Sequence, residues 1–503
     1  MDTEMKDFDD LVNDDKYEMG TGQELARAEL QATEDMFERR RVLRTLAVPT
    51  DDNKVRERLR AFGLPMTLFG ERPEDRRSRL KSMIADMQEE AGEKAKIESE
   101  DESEEEEEFY TVGSQELLQT RRLLAEYSIP RSRAKRRIEK ERDDWGKPLK
   151  SIVDARKRTF EYIKSFNVLG SQVGDSRPIS QVKFSPDSQL LATGSWTGNI
   201  KLWDIPNCNH QMTLRGHDGL VGGVDWHPQA TLNQSKSTVN LASGSQDSTV
   251  ALWSLEKDTP LATLKGHTHQ VRRVAFHPSG RYLGSASFDE TWRLWDVETQ
   301  AELQLQEGHS KEVYALAFQD DGALVGSAGM DAIGRVWDLR TGRTAMVLDG
   351  HADKILALDF SPNGHSYQCA TGSGDGKIMI WDLRALKSIS TMPAHNISVG
   401  DLKFYRQPER VLNSRNDKQD VKMDESGDNE DMSPLVKEPY SHGLFLASAG
   451  FDGYTKLWSA DDWICQRSIA ENSKIMSVDV SRNGKHLATG EWSRSFKLFG
   501  TEL

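Results

Sequence analysis

From about residue 165 onward the chain alternates short apolar runs with turns of Gly, Asp, Asn or Pro, as in VRRVAF, RYLGSAS and TWRLWD between 271 and 296. Runs of this length, rich in β-branched and aromatic residues, predict antiparallel strands joined by tight turns. The pattern repeats. An apolar strand closes on a Trp–Asp-like pair at IKLWD (Trp203), VALWS (Trp253), WRLWD (Trp295), GRVWD (Trp337), IMIWD (Trp381) and TKLWS (Trp458), and on FKLFG at Phe499. Trp253, Trp295 and Trp337 are 42 residues apart, and inserted loops stretch the other spacings. Upstream of five of these strands stand Asp247, Asp289, Asp331, Asp375 and Asp452. A hydroxyl residue precedes each Asp by four positions, at Ser243, Ser285, Ser327, Thr371 and Ser448. The same units open on His217, His267, His309, His351 and His395, the first four preceded by Gly.

A repeat of about 40 to 45 residues with Gly-His and Trp-Asp is similar to the WD-repeat family. The resemblance implies a seven-bladed β-propeller over 165–503 and, in each full blade, a buried network running from Trp through Ser or Thr and His to Asp. One four-stranded blade cannot bury both its faces, whereas seven packed around an axis can. His, Ser and Asp together also suggest a nucleophilic triad, but a triad is needed once, with one oxyanion site. Here the set recurs five times with a Trp attached, so its members are read as blade ties that satisfy one another. No Gly-rich phosphate loop, metal-ligand spacing or unique nucleophile remains, and neither an enzyme nor a cofactor is expected. The first and last units depart from the pattern, with Thr197 and Ser493 where the Asp belongs and no Gly-His. That departure predicts a ring closed by a strand from SFNVLGSQVG (165–174) joining the last blade. A polar, charged stretch near 408–441 in the sixth unit predicts a disordered surface loop.

In a propeller the residue just before the Asp tends to lie on the narrow face. Those positions hold Trp196, Gln246, Phe288, Met330, Gly374, Phe451 and Trp492. Trp196, Phe288, Met330, Phe451 and Trp492 are the candidate partner-binding residues, since exposed aromatics dominate binding energetics. The competing reading tucks them against their own loops. Arg272, Arg273, Lys354 and Lys474, at strand starts, are candidates for the same face.

The first third is charged and helical. Residues 22–46 carry apolar positions at helical spacing. Residues 55–84 read as a helix ended by Gly63 and Pro65, an apolar turn, and a second helix from about Pro73. Leu59, Phe62, Leu64, Met66, Leu68 and Phe69 form a candidate apolar hub, with Leu68 and Phe69 the candidate partner contacts. The organisation expected is an arm at 1–50, a motif at 51–90, an acidic linker at 91–112, a basic helical segment at 113–164 and the propeller. RLRAFGLPMTLFGERPEDRRSRLKSM looks like a short splicing-factor motif, and LLAEYSIPRSRAKRRIEKER (123–142) like a segment that follows it. With the repeats, these resemble the WD-repeat subunits of the U4/U6 small nuclear ribonucleoprotein. The resemblance implies a nuclear pre-mRNA splicing scaffold of U4/U6 and the tri-snRNP. Its partners would be a companion U4/U6 protein and in some organisms a cyclophilin, with U4/U6 snRNA touched directly or through proteins. The alternative is a WD-repeat adaptor of another complex, such as a ubiquitin-ligase substrate receptor.

Charge changes this picture in one place. The net charge is -15, yet the acid is concentrated in ESEDESEEEEE (98–108) and DESGDNED (424–431), while RSRAKRRIEKER (131–142) is strongly basic. Arg131, Arg133, Lys135, Arg136 and Arg137 are the candidate RNA-contacting cluster, because cations that neutralise phosphates release counterions. A nuclear-import signal, or a solvated helix face paired with Glu139 and Glu141, would use the same residues. Ser99 and Ser103 precede acidic residues and are candidate phosphorylation positions. Cys208, Cys369 and Cys465 show no paired spacing and read as buried thiols of a reducing compartment. No apolar run reaches the roughly 20 residues that span a bilayer, so no membrane is expected; with the repeated His and Asp read as blade ties, no small-molecule substrate is expected either.

Overall fold

The computed structural model describes residues 52–68, 71–92, 114–144, 149–362, 367–406, 444–460 and 462–501. The expected helix at 22–46, most of the linker at 91–112 with Ser99 and Ser103, Phe69, and the insertion at 408–441 lie outside the described residues. The chain divides into two compact units, residues 1–107 and 108–503.

In the first unit, helix α1 (Asp52–Ala61) and helix α2 (Pro73–Gly92) form a hairpin. Gly63 ends α1 at φ 73°, a left-handed conformation that costs glycine little. Its amide donates to the Arg60 carbonyl, and the Leu64 amide reaches back to the Leu59 carbonyl, which satisfies two orphan groups of the helix end. Arg79 grips Glu71 through both carboxylate oxygens at 2.7 and 3.0 Å and donates to the Pro65 carbonyl, so it pins the turn to α2. The expected hub is only partly realised. Val55, Leu59 and Leu80 are buried with Leu64 and Ile84 against them, whereas Phe62, Met66 and Leu68 are 43%, 45% and 49% exposed. The left-handed step at Gly63 ends α1 and turns the chain, and Met66 and Leu68 beyond it, like Phe62 before it, stay outside the hairpin core.

The second unit holds helices α3 (Gln115–Asp144) and α4 (Leu149–Lys164) and strands β1 to β28, arranged as seven four-stranded antiparallel sheets. Blades one to six occupy residues 179–214, 221–265, 271–306, 313–349, 355–393 and 399–470 in sequence order. Blade seven combines residues 475–500 with β1 (Asn167–Val173), which pairs antiparallel with β28 (Ser495–Gly500). The ring is thus closed by pairing the first strand of the propeller with the last. Inner strands are buried on both faces and outer ones alternate, as in TAMVLD at Thr344–Asp349. Between blades pack Trp253, Trp295 and Trp337, each fully buried.

Carboxylates also staple neighbouring blades inside the channel. Asp479 accepts from the Phe184 amide, Asp225 from Phe276 and Asp359 from Phe404, each at 2.8 Å. They satisfy amides on the innermost strand edge that no further strand could reach.

Helices α3 and α4 pack on the propeller. Leu117 and Leu124 of α3 are buried with Tyr282, Trp292, Leu303 and Trp337, and Tyr127 meets the His277 ring at 5.5 Å. Tyr162 and Ile163 of α4 join Tyr405, Phe445 and Phe499. In a meander, alternate turns share one end. His277, Asp321 and Gly484 follow the first strands of their blades, while Trp196 and Trp492 follow second strands. Both helices therefore sit at the end opposite the Trp196 and Trp492 turns.

Candidate interaction surface

The five full blades carry the expected ties. Trp253, Trp295, Trp337, Trp381 and Trp458 donate through Nε1 to Ser243, Ser285, Ser327, Thr371 and Ser448 at 2.7 to 3.0 Å. Those hydroxyls lie 2.7 to 2.8 Å from Nε2 of His217, His267, His309, His351 and His395. The opposite ring nitrogens meet Asp247, Asp289, Asp331, Asp375 and Asp452 at 2.7 to 3.3 Å. Burial alone would raise the Asp289 carboxyl, but hydrogen bonds from His267 and Thr291 outweigh it and hold the group at about 2. These side chains face inward and are consumed by one another, so they are unlike a substrate site.

Blades one and seven depart as their sequences foretell. In blade one Trp203 still donates to Thr193 at 2.9 Å, but Thr197 bonds Asp175, which also meets Lys201 at 3.3 Å. In blade seven Phe499 has no donor, and Thr489 bonds Glu471 at 3.0 Å.

The aromatic turn positions converge. Trp196, Phe288, Phe451 and Trp492 line one cavity of about 290 Å³ at the channel mouth, with Leu220, Gln270, Arg272, Tyr314, Lys474 and Met476. Met330 stands outside it. Lys474 lies over the Trp492 ring at 5.9 Å, and Arg272 over Tyr314 at 4.7 Å. The indole nitrogen of Trp196 is buried with no partner. A second groove, lined by Arg177, Pro178, Trp196, Trp492, Ser493 and Arg494, adjoins it through the same tryptophans.

A repeated backbone device aims part of this lining. In all seven blades the register between the innermost strand and its neighbour shifts at the second residue. Such a bulge re-aims a side chain. The positions are Ser180, Gly222, Arg272, Tyr314, Leu356, Gly400 and Met476. Three of them line the cavity, and a Cβ at Gly400 would sit 2.7 Å from the Phe451 ring, so glycine there makes room for it. Tyr314 and Met476 were missed by reading the turns alone. The second residue of each inner strand is the signal that finds them.

Of the basic candidates, Arg272 and Lys474 reach this mouth. Arg273 does not, since it is buried inside the channel and pairs with Asp401 at 3.0 Å. The expected RNA-contacting cluster lies on α3 at the far end and is divided. Lys135 meets Asp321 at 3.2 Å, and Arg131 folds over the Tyr127 ring at 3.5 Å. Arg133, Arg136 and Arg137 are exposed. Among the described residues no group of three or more His, Cys, Asp or Glu could hold a metal ion.

Residues 55–83 match the family model described as pre-mRNA processing factor 4 (PRP4) like. The WD domain, G-beta repeat, model matches 166–204, 208–254, 258–296, 300–338, 342–382 and 463–499. The chain carries WD repeats and a PRP4-like motif. It is 41% identical to U4/U6 small nuclear ribonucleoprotein Prp4 of Bos taurus over 208 residues, 41% of this chain and 40% of that protein. The Prp4 of Homo sapiens is 41% identical over 201 residues, 39% of this chain and 38% of its own length. The PRP4 of Saccharomyces cerevisiae is 33% identical over 188 residues, 36% of this chain and 40% of its own. The aligned regions thus span about 40% of the relatives' length.

Proposed function

We propose that this WD-repeat protein is a non-catalytic nuclear scaffold of pre-mRNA splicing, a component of the U4/U6 and tri-snRNP particles. The observation that carries the reading is the order of a PRP4-like motif at 55–83 followed by a propeller similar to proteins named for the U4/U6 small nuclear ribonucleoprotein. The geometry supports a scaffold with two working ends. At the channel mouth, Trp196, Phe288, Phe451 and Trp492 form an apolar anchor site with Arg272 and Lys474 beside it. An extended protein segment with an apolar anchor and acidic flanks fits that chemistry. At the opposite end, Arg133, Arg136 and Arg137 on α3 present charge suited to RNA phosphates. The exposed Phe62, Met66 and Leu68 give the PRP4-like hairpin a contact face of its own, on which a companion snRNP protein would dock.

The test is to purify the tagged full chain from nuclear extract at moderate salt and to sequence the RNA that accompanies it. Joint enrichment of U4 and U6 is expected. Background levels of both, with proteins still co-purifying, would overturn the splicing assignment and leave an adaptor of another complex.

A further inference from the structure

Blade seven has replaced the His–Asp tie with a pair of carboxyl groups. Glu471 occupies the loop between β25 (Cys465–Ala470) and β26 (Ile475–Val480), at the joint of blades six and seven. Its amide donates to the Gly453 carbonyl at 2.7 Å, just as the His395 amide donates to Gly376 one blade earlier, at 2.9 Å. Glu471 therefore stands where the histidine stands elsewhere. Its oxygens accept from Thr455 of β24 (Tyr454–Ser459) at 2.9 Å and from Thr489 of β27 (His486–Glu491) at 3.0 Å. Glu491 fills the other half of the site and accepts from Ser495 at 2.7 Å and from Ser493. Among the described residues Lys497 of β28 is the cation facing them, 2.6 Å from Glu491 and 3.5 Å from Glu471. On β28 it lies opposite Ser171 of the closing strand β1.

Two buried carboxylates against one ammonium leave a net negative charge at the joint. Like charges so close do not both ionise readily. A proton held between them removes the excess, and a neutral Glu471 can then donate to Glu491 in the way histidine donates to aspartate in the other blades.

We infer that Glu471 and Glu491 form a proton-operated latch on ring closure, in which the shared proton ties blade six to blade seven and its loss loosens the joint beside β1 and β28. Burial and the neighbouring Glu491 hold the Glu471 carboxyl up at about 7, against an ordinary 4.5. Burial acts upward on Glu491 as well, but bonds from Glu471, Lys497, Ser493 and Ser495 bring it down to about 2. A carboxyl raised in the folded state binds more protons there than when the joint opens. Closure is then strongest at the acidic end of the interval and weakens as pH rises from about 4.5 towards 7, with the loss complete just above.

Hydrogen exchange of the full chain, corrected for the intrinsic pH dependence of exchange, tests this between pH 6 and pH 8. Opening of the β28 and β1 amides, relative to those of β12 (Trp292–Asp296), is expected to increase about tenfold over that interval. Glu471→Gln, which keeps a donor and cannot ionise, should abolish the increase while leaving protection at pH 6 unchanged. Glu491→Gln serves as a second variant. It removes the like charge and leaves Glu471 with Lys497, so the increase should shift to lower pH. An unchanged opening ratio in the wild type between pH 6 and pH 8 would overturn the latch. So would the same increase persisting, at the same pH, in either variant.

Discussion

Trp196 and Trp492 meet edge to face across the joint between the first and last blades, their ring centroids 4.7 Å apart and their planes at 80°. The contact makes one wall of the channel-mouth cavity and ties together two blades that lack the full His–Asp network. A double-mutant cycle with Trp196→Ala and Trp492→Ala should return a coupling of about 0.5 to 1.5 kcal/mol beyond the area each ring buries. Urea denaturation measures it. Because Trp492 is 43% exposed, Trp492→Ala alone should weaken partner retention in pull-downs far more than it lowers stability.

The tie in blade three gives a graded series. Trp295→Phe removes one donor to Ser285 and should cost about 1 kcal/mol. Asp289→Ala strands the His267 ring nitrogen inside the protein and removes the acceptor of the exposed Thr268 amide, and should cost about 2 to 3 kcal/mol. Denaturant midpoints separate the two. Since the Asp289 and Asp375 carboxyls are held at about 2 from an ordinary 3.8, their contribution is complete above pH 4 and is lost as pH falls through 2.

A second acid response belongs to α3. His277 is buried against Tyr127, its Nε2 is 2.9 Å from the Gly322 carbonyl, and burial brings it down to about 4 from 6.5. Here the unfolded state takes up the proton first. Stability is therefore full above pH 6.5 and falls as pH drops towards 4, by about 1 kcal/mol at pH 5.5 and about 3 in all. Chemical denaturation at pH 7 and pH 5.5 should show the loss, and His277→Gln should flatten it.

Arg133 and Arg136 are exposed on α3, so replacing both with Ala should leave the melting temperature unchanged. RNA affinity should fall, and the slope of log Kd against log salt should shrink by about 1.4 for single strands. Lys135→Ala, which breaks the contact to Asp321, should instead loosen α3 from the propeller. Fluorescence anisotropy with a U-rich RNA at several salt concentrations distinguishes the two.

The propeller was legible because each full blade repeats a local signature, and the Trp, Ser, His and Asp positions sit at fixed offsets within it. Four of the aromatic turn residues were legible for the same reason. Met330 was not sorted from them, since which turns lean over the channel depends on neighbouring blades. Glu471 was invisible as a stand-in for histidine because its partners, Thr489 and Glu491, belong to the next blade and the amino acid itself is changed. The docking of α3 shows a further limit. Leu117 and Leu124 have helical spacing, but their partners Tyr282 and Trp292 lie far along the chain. The apolar turn after α1 misled because Gly63 reverses the backbone, a matter of one dihedral angle rather than of hydrophobic pattern.

The pairing of β1 with β28 also sets an order of events during synthesis. Residue 167 leaves the ribosome early, but the edge it must occupy does not exist until residue 500 has been made. Through the translation of six blades the nascent protein therefore carries an open arc with two unpaired edges, the kind of surface that invites strand pairing with other chains. Ring completion is a single late step, and any interruption of translation before β28 leaves every blade already formed without its closure.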